Sequence, residues 1–171
     1  MNTSELETLI RTILSEQLEP TAQKPAAENG IFVTPDQAIT AAHQAFLRYQ
    51  QCPLKTRSAI INSLRDELAP HLAQLSGESA LETGMGNKDD KLLKNKAALE
   101  NTPGIEDLTT TALTGDGGMV LFEYSPFGVV GSVAPSTNPT ETIINNSISM
   151  LAAGNTVYFS PHGRASRRES A

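Results

Sequence analysis

An α/β fold is predicted for this chain, a helical region leading into one strand–helix–strand unit. Three observations predict it. Val129, Val130 and Val133 lie in a short β-branched apolar run, the pattern of a buried parallel strand. Ile143, Ile144, Ser147, Ile148 and Leu151 recur at helical spacing. Residues 156–159, TVYF, are again β-formers. Pro135 closes the first strand because it has no N–H for a ladder. Pro139 suits the first turn of a helix, and Gly154 stands where a helix ends in a left-handed residue. Such a unit sets the polar loop Ser136, Thr137 and Asn138 at the carboxyl edge of a parallel sheet, where α/β folds take ligands. The adjoining helix N-terminus adds free N–H groups and partial positive charge. The loop is therefore a candidate site; an ordinary polar crossover would account for it as well.

Composition narrows the function classes. The 171 residues suffice for one domain of ordinary size. Hydrophobic residues make up 39%, enough for a modest core. A net charge of −6 argues against a nucleic-acid partner. One cysteine excludes an internal disulfide and supports no metal cluster. The N-terminus carries Glu5 and Glu7 and lacks a basic signal-peptide region. No apolar run approaches the ~20 residues of a membrane span. A soluble, cytoplasmic chain is expected.

Residues 3–18 predict an amphipathic helix. Leu6, Leu9, Ile10, Ile13 and Leu14 form one narrow stripe that Leu18 continues, and Ser4 with Glu7 makes a capping box. The other face carries Glu5, Arg11, Thr12 and Glu16. So short a helix is marginal alone in water. It packs either on its own domain or on a partner. The next segment favours the partner: residues 19–30, EPTAQKPAAENG, offer no apolar face and read as an extended linker. Residues 1–18 on this tether read as a docking peptide that inserts into a groove.

Residues 31–103 read as helical. Thr34 and Pro35 start a first helix, with Ile39, Ala42, Ala45, Phe46 and Tyr49 inward. Pro53 breaks it. A second turns Ile60, Ile61, Leu64 and Leu68 inward before Pro70, and a third carries Leu72, Leu75, Ala80 and Leu81 to a stop near Gly84. Asn87 caps a fourth, with Leu92, Leu93 and Leu99 inward. Lys88, Lys91, Lys94 and Lys96, mixed with Asp89 and Asp90, predict a solvated face. Cys52 has no activating base nearby and reads as structural. His43 and His71 read as surface or helix-packing residues. Residues 104–118 are polar and end in the turn signal TGDGG; residues 119–124, MVLFEY, predict a strand.

The last residues break the pattern. No apolar periodicity follows the second strand, and Arg164, Arg167 and Arg168 crowd together while residues 1–160 hold the other ten basic residues. Two parallel strands without further neighbours leave an open edge.

Residues 1–162 resemble the aldehyde dehydrogenase superfamily, most nearly the CoA-acylating propionaldehyde dehydrogenases of propanediol-utilisation bacterial microcompartments. The stretches that carry the resemblance are MNTSELETLIRTILSEQL, ETGMGNKDDKLLKN, the run from NTPGIEDL through PSTNPTETIINNSISMLAAGN, and YFSPH. PSTNPT alone is also shared by the ethanolamine and bifunctional alcohol types. The resemblance implies a Rossmann-like NAD domain, here only its first βαβ piece, with residues 31–162 as the N-terminal part of that domain. It implies the reaction of propionaldehyde, CoA and NAD+ to propionyl-CoA and NADH, through a cysteine thiolate. In that family an asparagine amide and a backbone N–H hold the oxyanion, and Asn138 matches the asparagine. A capping role for Asn138 is compatible with this. Ala134, Pro135, Ser136 and Thr137 match the loop on the nicotinamide side; Ser160, Pro161 and His162 match the segment near the adenosine ribose. No metal is implied. Residues 1–18 match the encapsulation peptide, whose partner is a microcompartment shell protein, and the family is homo-oligomeric.

Cys52 does not match the family's nucleophile, and residues 163–171 depart from the family as a basic tail. The expectation is therefore a truncated chain, inactive alone, with weak or absent NAD binding. The alternatives are a non-catalytic shell-docking module and a small nucleotide-binding α/β domain; NAD titration separates the last from the others.

Overall fold

The computed structural model describes residues 30–163, and the chain divides into two units, 1–34 and 35–171. The docking helix expected at 1–18, all of the linker but Gly30, and the tail beyond Gly163 lie outside the described residues.

The second unit opens with four helices: α1 Pro35–Tyr49, α2 Leu54–Leu68, α3 Leu72–Thr83 and α4 Lys88–Asn101. Their boundaries follow local chemistry. Pro35 begins α1 and Pro53 stands ahead of α2. Gly84 ends α3 at φ 64°, where a side chain would be strained. Asn87 caps α4, its side-chain oxygen accepting from the Asp90 N–H at 2.9 Å. After α4 come the strands β1 Thr111–Gly115 and β2 Gly118–Phe122, then β3 Val129–Ala134, α5 Pro139–Ala152 and β4 Thr156–Pro161.

β3 and β4 pair in parallel, Val129 against Thr156 and Ala134 against Pro161, as the βαβ reading requires. α5 ends in a full Schellman arrangement. Gly154 sits at φ 83°; its N–H reaches the Leu151 carbonyl at 3.0 Å and the Asn155 N–H reaches the Met150 carbonyl at 2.8 Å. The Asn155 side chain then accepts from the N–H groups of Phe127 and Gly128, at 2.6 and 3.0 Å, and fixes the entry to β3.

The core lies where α5 meets the helical region. Ile144, Ile148 and Ala152 pack with Ile61 of α2, Leu72 of α3 and Leu99 of α4. Fully buried Asn95 donates to Ser76 at 2.8 Å, and Ser76 donates to the Leu72 carbonyl at 2.6 Å, so α4 and α3 are also joined by a polar relay. At the other end Tyr49 donates to the Leu151 carbonyl at 2.9 Å, and the Arg57 guanidinium lies 5.7 Å over its ring. Burial pushes the Tyr49 phenol up; Arg57 pulls it the other way.

Several expectations are corrected. The strand expected at 119–124 is Gly118–Phe122, and it pairs antiparallel with a strand, Thr111–Gly115, inside the segment read only as polar and Gly-rich. The TGDGG turn joins them. Leu81 and Leu93 point outward, 85% and 68% exposed. Each lies about half a turn's rotation from the buried line of its helix, which runs through Leu72, Ser76 and Ser79 in α3 and through Lys91, Asn95 and Leu99 in α4. Ile39 and Ile143 stand at exposed edges of their helices. Lys91 is not on a solvated face but buried, 3% exposed. His43 and His71 are exposed and Cys52 is half-buried beside Tyr49. Among the described residues no helix is long and apolar enough to cross a membrane.

Candidate functional site

The parallel register brings the two expected site segments to one edge. Ala134 ends β3 fully buried, and its carbonyl accepts from the His162 N–H at 2.9 Å. Ala134, Pro135, Ser136, Thr137 and Asn138 thus lie beside Ser160, Pro161 and His162. Pro135, Thr137, Pro161 and His162 are exposed, and Ser136, Asn138 and Ser160 are half-buried. All eight residues singled out from the sequence share this carboxyl edge.

Asn138 occupies the N-cap position of α5, yet its side chain makes no capping bond. Its backbone carbonyl takes the Thr142 N–H at 3.2 Å and the Thr142 hydroxyl at 2.7 Å. Its side-chain oxygen faces the Lys94 ammonium at 3.5 Å, the outer limit of a hydrogen bond. Lys91 donates to the Thr137 carbonyl at 3.2 Å. Met85, in the turn between α3 and α4, contributes its sulfur 3.9 Å from the Ser136 hydroxyl. The edge therefore has a second wall, Met85, Lys91 and Lys94, which sequence reasoning missed. The sequence carries no signal for it, because the buried line of α4 runs through Asn95 and Lys91, whose polar side chains mark a solvated face until their distant partners are known.

Two ammonium groups and the α5 N-terminus bring positive charge to this edge, opposed by the Glu141 carboxylate in the first turn of α5. A neutral amide donor in such a field can stabilise an oxygen that acquires negative charge. Glu141, in the first turn of α5, is buried; Thr140 donates to its Oε2 at 3.1 Å and its Oε1 has no partner. The edge holds no thiol. Cys52 lies beside Tyr49, which bonds to Leu151 near the far end of α5, about 20 Å along the helix axis from Asn138.

A loop at the carboxyl edge of a parallel βαβ unit, ahead of a helix N-terminus, is where α/β folds take ligands, and the chain belongs to the aldehyde dehydrogenase family, whose family model matches residues 14–167. It is similar to the CoA-propanoylating propanal dehydrogenase of Citrobacter freundii, 83% identical over 162 residues, 95% of this chain and 35% of that protein. Among solved structures, an engineered glycolyl-CoA reductase with bound NADP+ matches with a TM-score of 0.78 at 53% identity, over 82% of this chain and 32% of that one. The propionaldehyde dehydrogenase of the Clostridium phytofermentans fucose utilisation bacterial microcompartment matches with a TM-score of 0.77 at 48% identity, over 81% and 32%. The chain spans about a third of the length of the curated relatives it matches. The α/β expectation and the family resemblance both hold.

Proposed function

We propose that this chain is the cofactor-side wall and oxyanion donor of a CoA-acylating, NAD-dependent aldehyde dehydrogenase that takes propanal. The observation that carries the reading is the 83% identity to a CoA-propanoylating propanal dehydrogenase across 95% of the chain. Asn138 donates its side-chain N–H to the aldehyde oxygen as that oxygen gains charge. Ala134, Pro135, Ser136 and Thr137 line the nicotinamide side, and Ser160, Pro161 and His162 the adenosine ribose side. The β3–α5–β4 edge fits one half of a dinucleotide, so NAD affinity of the chain alone is weak. NAD, when bound, supplies the hydride acceptor. Cys52 is not the nucleophile, and the chain alone turns over no aldehyde.

Grafting residues 1–162 onto the remainder of the Citrobacter freundii relative tests this. The graft is expected to form NADH from propanal, CoA and NAD+ at a rate within a few-fold of the parent. A folded graft without that activity would overturn the reading, as would turnover by the chain alone that Cys52→Ser abolishes.

The stripe Leu6, Leu9, Ile10, Ile13 and Leu14 on its linker supports a second role, docking on a microcompartment shell protein. The microcompartment origin of the Clostridium phytofermentans neighbour supports this reading. Burying a Leu or Ile is worth ~1.5–3 kcal/mol before ordering costs, so the ~8 kcal/mol of a micromolar contact calls for the stripe as a whole and not one or two of its residues. Residues 1–18 fused to an unrelated soluble protein are expected to carry it into a propanediol-type microcompartment. Leu9→Ala with Ile13→Ala abolishes this and Arg11→Ala does not. Equal encapsulation of the fusion and its double variant would show that the stripe is not the docking face.

A further inference from the structure

Helix α4 sets two lysines against the loop that carries Asn138. Lys91, buried at 3% exposure, donates to the Thr137 carbonyl at 3.2 Å. Lys94, on the next turn and exposed, holds its ammonium 3.5 Å from Asn138 Oδ1, at the outer limit of a hydrogen bond. Asn138 Nδ2 has no partner among the described residues.

A side-chain amide has two ends of opposite character: Oδ1 accepts and Nδ2 donates. Which end faces a reacting oxygen decides whether the amide stabilises developing negative charge or repels it. A cation beside Oδ1 biases that choice, because the flipped amide would turn its N–H groups toward an ammonium. The same cation draws electron density toward Oδ1 and makes the Nδ2 hydrogens better donors. Lys91 acts one peptide earlier. By holding the Thr137 carbonyl it fixes the peptide plane from which the Asn138 side chain springs. Lys91 is too deeply buried for a solvated surface lysine, a type almost never fully buried without a partner.

We propose that Lys94 is a positioning residue for the oxyanion donor, orienting and polarising the Asn138 amide, and that Lys91 anchors the loop beneath it. The proposal rests on the reading of Asn138 as that donor. Neither lysine touches the reacting atoms.

Two measurements test it. In the grafted enzyme, Lys94→Met is expected to lower kcat about tenfold with the propanal KM changed less than about twofold, since the contact acts on the charged oxygen and not on the bound aldehyde. Lys94→Arg, which keeps the cation, is expected to restore most of the rate; a merely structural lysine would show neither the kcat–KM split nor the rescue. In the 171-residue chain labelled with nitrogen-15, Lys94→Met is expected to move the Asn138 Nδ2 resonances toward those of a free amide. Lys91→Met is expected to move the Thr137 and Asn138 backbone signals. Unchanged Nδ2 resonances in Lys94→Met overturn the proposal. So does full activity of Lys94→Met in a graft that Asn138→Ala inactivates. If Asn138→Ala keeps the full rate while Lys94→Met shifts the Nδ2 signals, the oxyanion reading has failed and the orienting contact stands.

Discussion

Asn138→Ala in the grafted enzyme is expected to lower kcat by about 10²–10³-fold, the usual cost of deleting one oxyanion donor. Stability should hardly change. An asparagine that caps a helix with its side chain costs about 1 kcal/mol when replaced by Ala. Here the side chain makes no capping bond, and the Asn138 carbonyl only accepts the first i→i+4 bond of α5 from Thr142, with the Thr142 hydroxyl beside it, both of which alanine would keep. The pairing of a large kinetic loss with an unmoved thermal midpoint separates an oxyanion donor from a helix cap. Asn138→Asp keeps the shape and presents a carboxylate to the charged oxygen, so its rate falls at least as far. A variant Asn138→Ala that loses stability and keeps kcat would assign the residue to the helix instead.

Ile148→Ala is expected to be the most damaging change to the fold, costing about 2–5 kcal/mol. Ile148 is fully buried at the centre of the cluster formed by Ile61, Leu72, Leu99, Ile144 and Ala152. The cavity left by its lost carbons is bounded by three other helices, which cannot all close on it. The reserve is small. Among the described residues β3 and β4 pair only with each other, and Val133 is 78% exposed on the outer face of β3. A loss of this size is a large part of the ~5–15 kcal/mol that holds an ordinary domain. Denaturant titration of the chain is expected to show the midpoint falling steeply for Ile148→Ala. Leu93→Ala, on the exposed face of α4, should stay within about 0.5 kcal/mol. Equal midpoints for the two variants would place the core elsewhere.

The same contrast marks what was legible without coordinates. Pro35, Asn87, Pro139 and Gly154 announce helix ends because capping and φ preferences act within a turn of chain. The β-branched run at 129–133, the helical spacing of Ile144 and Ile148 and the β-formers from Thr156 onward set the βαβ unit, and with it the edge where Asn138 lies. The resemblance of PSTNPT and its flanks then proposed roles for individual loop residues.

Other features needed the tertiary structure. Thr111–Gly115 has no apolar pattern and is exposed throughout; it is a strand because Gly118–Phe122 pairs with it across a tight turn. Nothing local marks Asn155, yet its side chain holds the entry to β3 from 27 and 28 residues away. Lys91 belonged by composition to a charged surface, and whether it is solvated depends on a carbonyl 46 residues distant. Local dihedral preference and periodicity are properties of neighbours in sequence, so they determined the elements and their order. Burying a polar or charged group requires a hydrogen-bond partner, and that partner exists only once distant segments have packed. The packing of α4 against the Asn138 loop, and so the electrostatic character of the site, was decided by the tertiary structure alone.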